Sequence, residues 1–173
     1  MKKRVKLLTT IASLCLAVAL MAFGVYAATS VSFKATGTIS FSSTEISGTW
    51  TLAVAAVNGT PADQTPTVTP AAEENGVGSA TVANTTVSDI TKECTITLTA
   101  TFVNTSTTDA TLSVTGVVPT TQTGYTLAAN TPENVSCPRG ETKSIAITFT
   151  ISGIDPTQEG TGIEYSATFA ASK

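Results

Sequence analysis

From Val31 to Phe41 the chain alternates strictly. Val31, Phe33, Ala35, Gly37, Ile39 and Phe41 fall on one side, and Ser32, Lys34, Thr36, Thr38 and Ser40 on the other. A period of two is the mark of a strand with one face buried. Ile46, Gly48, Trp50, Leu52 and Val54 repeat it, as do Cys94, Ile96, Leu98, Ala100 and Phe102 against Thr95, Thr97, Thr99 and Thr101. Further strands are predicted at Ala110–Val114, Tyr125–Leu127, Ile145–Ile151 and Ile163–Phe169. Between them lie turn clusters, at Asn104–Asp109, Pro138–Glu141 and around Asp155-Pro156. Residues 58–79 contain Pro61, Pro66 and Pro70 and read as one long loop unable to form a ladder. Outside the first segment no window has helical spacing. Seven or eight antiparallel strands, each apolar on one face, predict an all-β, immunoglobulin-like sandwich. A closed barrel is the alternative. The stretches 92–114 and 143–169 read as two similar hairpins within one sandwich.

The first segment differs in kind. Lys2, Lys3, Arg4 and Lys6 precede an apolar run from Leu7 to Phe23, and Gly24 then leads into Val25-Tyr26-Ala27. That order is a secretory signal with small residues before the cut. It predicts a signal helix over 1–27, cleavage after Ala27 or next after Ala28, and one sandwich domain over 28–173. An uncleaved anchor is the alternative, since 17 residues approach the span of a bilayer. Cys15 lies mid-run after Leu14, which does not fit a lipoprotein signal. Contact with a membrane is expected only through the signal, and the destination is the cell surface or the extracellular space.

Composition and charge then narrow the chemistry. The chain of 173 residues has 36 threonines, net charge −3 and no histidine. Imidazole catalysis and imidazole metal sites are excluded. The signal carries four of the nine basic residues and none of the twelve acidic ones, so the remainder bears a net charge of −7. Five scattered bases make no nucleic-acid surface. A serine nucleophile lacks its base. The carboxylates, including Glu73, Glu74, Asp155 and Glu159, do not follow a calcium-loop spacing. No enzyme activity, cofactor or metal is therefore expected. Trp50 is in phase with Ile46 and Leu52 and reads as core.

Three features remain. Cys94 and Cys137 form an even pair in an exported chain and suggest a disulfide worth about 4 kcal/mol; two buried free thiols are the alternative. The threonines at 95, 97, 99 and 101 form a flat rank able to order water, bind ice or a crystalline polymer, or simply pair across strands. The Val31–Phe41 strand, with Val31, Phe33, Ile39 and Phe41 on its apolar side, is suited to adding to a neighbouring subunit's sheet, or to remaining in its own.

Gly24-Val25-Tyr26-Ala27-Ala28 followed by an alternating strand resembles the junction in exported β-sandwich proteins of Gram-positive bacteria of the camelysin/TasA type. Phe102-Val103-Asn104-Thr105-Ser106, and Pro138-Arg139-Gly140-Glu141 leading into Ile145–Phe149, are similar too. The resemblance implies a surface or biofilm-matrix component that assembles through its N-terminal strand. Some members are classed as metallopeptidases, but this chain lacks the ligands for that activity. The expectation is a secreted, non-enzymatic, structural or adhesive protein whose partners are itself or other matrix components. A carbohydrate- or ligand-binding immunoglobulin-like module using loop 58–79 is the alternative.

Overall fold

The computed structural model describes residues 33–57, 66–70, 77–87, 92–155, 157 and 162–173. The predicted signal segment, with Ala27 and Ala28, and Val31 lie outside them. Among the described residues no helix is long and apolar enough to cross a membrane.

Ten strands form two sheets. In chain order they are β1 (Phe33–Thr44), β2 (Gly48–Val57), β3 (Thr67–Pro70), β4 (Gly78–Val87), β5 (Cys94–Asn104), β6 (Ala110–Val117), β7 (Thr126–Ala129), β8 (Val135–Cys137), β9 (Thr142–Ser152) and β10 (Ile163–Ser172). One sheet has the order β3-β4-β1-β10-β6-β8 and the other β2-β5-β9-β7. The alternation read from sequence fixes the inward faces. Phe33, Ile39, Ile163 and Phe169 come from the first sheet and Trp50, Ile96, Leu98, Ile147 and Phe149 from the second, and all are buried between them. Phe41, Trp50, Phe102 and Phe169 form one aromatic cluster, with Trp50 and Phe102 centroids 4.7 Å apart. Rings at this spacing add modestly to the stabilisation from burial alone.

The chain order through the sheets differs from the hairpins expected. β5 lies in one sheet and β6 in the other, and the same holds for β9 and β10. Among the described strands only β3 and β4 are both consecutive and paired. Every other pair of consecutive strands divides between the two sheets, so that a described connection such as β5 to β6 is an arch. An arch and a hairpin need the same polar turn residues and the same inward alternation, so the sequence pattern does not separate them. β1 meets β10, the other end of the fold, as a parallel pair over ten positions, Ala35↔Ile163 to Thr44↔Ser172.

Three strands escaped the sequence pattern. β3 and β4 pair where 58–79 reads as a loop, so that expectation is corrected at 67–70 and 78–79. β3 tolerates Pro70 because it is a sheet edge, where a missing N–H breaks no ladder. β4 carries an irregularity opposite Ala35–Gly37. Its buried side chains are Ala80 and Val82 before the shift and Thr85 and Val87 after it, so the phase changes mid-strand. β8 is three residues long, too short for periodicity to show.

Two glycines make room for rings of the neighbouring strand in the same sheet. A Cβ on Gly37 would overlap the Tyr165 ring, and one on Gly48 would overlap the Phe102 ring. Tyr165 is held over Gly37 by Phe149, with centroids 4.7 Å apart.

Candidate functional site

Residues 102–106 and 138–141 meet at one corner. β5 ends at Asn104, a buried polar residue with 1% exposure. Its Nδ2 donates to the carbonyls of Thr108 and Cys137, each at 3.0 Å. Its Oδ1 accepts from the Ser106 N–H at 3.0 Å and the Ser106 hydroxyl at 2.6 Å. The Asn104 N–H donates to the Glu141 carbonyl at 2.9 Å, and the Gly140 N–H donates to the Asn104 carbonyl at 3.0 Å. Gly140 has φ 75, which its lack of a Cβ permits. Asp109 closes the corner by accepting from the Arg139 N–H at 3.0 Å. Every Asn104 amide group is occupied, so the corner clamps the β5–β6 arch to the β8–β9 turn. Its chemistry is structural.

The cysteines do not come together. Cys94 opens β5, whereas the Cys137 carbonyl is bonded to Asn104 at the other end of that strand. Ten residue steps of extended chain span about 33 Å. A disulfide needs Cα atoms within about 7 Å, so the Cys94–Cys137 bond is excluded within one chain. Both are buried free thiols. Burial pushes the Cys94 thiol up to about 11. It also raises Cys137, with smaller contributions from Asn104, Glu141 and Lys143. Even cysteine number and inward phase carried no information on which ends of the sandwich the two occupy.

The proposed strand-addition segment is the interior of a sheet. β1 is flanked by β4 on one side and β10 on the other. Phe33, Ile39 and Phe41 face the core of their own chain, with exposures of 3% or less. Strand addition through β1 therefore requires exchange out of an occupied slot.

The threonine rank continues beyond β5. Thr51, Thr101 and Ser144 share one row across β2, β5 and β9, and Thr97 and Thr148 share another with Ala55. Thr97 and Thr148 hydroxyls lie 3.1 Å apart, and Thr101 and Ser144 hydroxyls 2.8 Å apart. These hydroxyls bond to one another across strands, as threonine neighbours do. From Thr49 to Ala55 on β2, Thr95 to Val103 on β5 and Thr142 to Ser152 on β9, no outward position carries a charge.

The sheet edges are unequal. β3, β7 and β8 have four, four and three residues, and β3 ends in proline. β2 has ten residues, Gly48 to Val57, with neither proline nor charge. It pairs with β5 from end to end without a register shift. Its inward-facing Leu52 and Val54 are only partly buried, unlike the fully buried inward side chains of β5. Short strands and proline protect an edge against pairing with another chain. β2 has neither protection. Sequence reasoning noted the scarcity of charge but had no means of telling an edge from an interior strand.

A groove of about 330 Å³ crosses the outer face of the larger sheet, lined by Thr36, Thr38, Glu164, Ser166, Val117 and Pro119 among others. Asp155 accepts from the Thr157 N–H at 2.9 Å and hydroxyl at 2.7 Å, which holds its carboxyl below its usual range. Glu73, Glu74 and Glu159 lie outside the described residues. Among the described residues no three Cys, Asp or Glu side chains gather to hold a metal.

No protein-family model and no curated protein matches this sequence. The candidate site is therefore defined by the fold alone: among the described residues, an uncharged threonine face bounded by one long strand edge that carries neither proline nor charge.

Proposed function

We propose that the chain is a secreted, non-enzymatic structural protein of the cell surface or extracellular matrix, working through contacts of its sheets. The observation that carries this reading is the uncharged face and edge of the β2-β5-β9-β7 sheet in a chain whose exported part bears a net charge of −7. On an acidic protein such a surface is where another copy approaches without like-charge repulsion. The same features support an immunoglobulin-like module in scale, with arches in place of hairpins. The resemblance to camelysin/TasA-type proteins adds export from a Gram-positive cell and a place in a biofilm matrix. Cleavage after Ala27 or Ala28 frees the domain, so that membrane contact ends with the signal.

Fibre formation by β1 is a domain swap. β1 leaves the slot between β4 and β10 and enters the identical slot of a neighbour, which restores every native contact. The test uses the register Thr38↔Ser166. Paired neighbouring strands lie about 4.8 Å apart, within disulfide range. The Thr38→Cys/Ser166→Cys variant, oxidised as a monomer, locks β1 at home. Electron microscopy is expected to show fibres for the wild type and the reduced variant and none for the oxidised one. Fibres from the oxidised variant would refute exchange through β1.

The groove over Thr36, Thr38 and Glu164 favours a second function, binding of a polar ligand such as a carbohydrate. Glycan binding that is abolished by Glu164→Arg supports it, and binding that persists in that variant counts against it.

A further inference from the structure

We infer that β2 is a self-association edge, through which two copies of this chain join their four-stranded sheets into one antiparallel eight-stranded sheet. The inference rests on the structural role proposed above, but on a different strand from β1. Among the described residues β2 pairs only with β5, and its other side ends the sheet. It spans ten residues without proline, charge or bulge. The other three edges have four residues or fewer.

The occupant is a second copy because the edge is self-complementary in three respects. Any strand paired antiparallel with itself obeys a two-fold axis and forms a closed pair. The strand is neutral, so two acidic chains meet there without opposed charges. Opposed residues of an antiparallel pair share a face, so the axis must pass through a residue and not between two. An axis at Ala53 sets Leu52 opposite Val54 of the second copy. It thereby covers the side chains that β2 leaves half-buried in one copy. It also sets Thr51 opposite Ala55, which continues the neutral outer face across the junction. Used in full, the edge supplies a strip about 30 Å long with about nine backbone hydrogen bonds.

The test is the molar mass of the purified chain by light scattering across a concentration series, for the wild-type edge, Ala53→Lys and Ala146→Lys, each in the oxidised Thr38→Cys/Ser166→Cys chain so that β1 exchange does not add to the mass. Ala53 is exposed on β2, and Ala146 lies on the same outer face but on the interior strand β9. The wild type is expected to reach twice the chain mass. Ala53→Lys, which places two ammonium groups at the junction, is expected to raise the dissociation constant at least about tenfold, with an unchanged melting temperature at concentrations too low for dimers. Ala146→Lys is expected to dimerise as the wild type does. A wild-type edge that stays monomeric in this locked chain at every concentration overturns the edge and leaves β1 exchange to the fibre comparison of the reduced and oxidised protein. Dimers that survive Ala53→Lys overturn it also. Dimers lost in Ala146→Lys but kept in Ala53→Lys overturn it in favour of face-to-face stacking.

Discussion

Asn104→Ala is the most informative single change in the fold. The side chain makes four hydrogen bonds, two donated and two accepted. Their loss is unequal. The Thr108 carbonyl lies 2.7 Å from the Ser106 hydroxyl, whose one proton is free to turn to it once Asn104 Oδ1 is gone. The Ser106 N–H is only part-buried, so water can replace the lost acceptor. The Cys137 carbonyl is buried, and it loses the Asn104 amide that bonds it in the native corner. Leaving a buried acceptor unpaired costs about 1–3 kcal/mol, and losing the local turn adds about 1 kcal/mol, so the total is about 2–4 kcal/mol. For a domain of this size that is a fall in melting temperature of roughly 6–12 °C. Differential scanning calorimetry measures it directly. Asn104→Asp separates the two halves of the interaction. It keeps the acceptor for Ser106 but turns the donor to Cys137 into an acceptor, so it should be nearly as destabilising at neutral pH and partly recover in acid. An Asn104→Ala protein melting within 2 °C of wild type would show that the corner does not clamp the arches.

Three further outcomes follow from the packing. Gly37→Ala forces a methyl group into the Tyr165 ring, which Phe149 prevents from turning away. Thermal denaturation should show a loss of about 1–3 kcal/mol, against almost none for Gly162→Ala, where the added methyl meets open space. Tyr165→Phe removes a buried hydroxyl that has no hydrogen-bond partner, so stability should rise by about 1 kcal/mol in urea titration; a fall contradicts this account of the core. Burial pushes the Cys94 thiol up to about 11 in the folded chain against 9.0 for an unburied thiol, so the folded state retains a proton the unfolded state gives up. Stability is therefore complete below pH 9 and declines as the pH rises from 9 to 11. Melts of wild type and Cys94→Ala should diverge over that window, and parallel curves refute the burial of the thiol.

Much of the sandwich was legible in the sequence because a strand with one buried face cannot avoid a period of two. Phe33–Phe41, Cys94–Phe102 and Ile163–Phe169 all point as their alternation requires. What period two lacks is partnership. It predicts that Cys94 faces inward but not that Cys137 lies at the opposite end of β5. It describes β1 and β2 in the same terms, although one is enclosed between two strands and the other ends a sheet. β4 was illegible for another reason: its phase changes between Val82 and Thr85, so neither half is long enough to register. Asn104 read as a turn residue, and only the folded chain shows its amide reaching Cys137, 33 residues away.

The central claim is that this chain associates with itself through its sheets. Sedimentation velocity of residues 28–173 over a wide concentration range tests it most directly. The account predicts species heavier than one chain whose share grows with concentration. A single boundary at the mass of one chain, up to the highest soluble concentration, would contradict it.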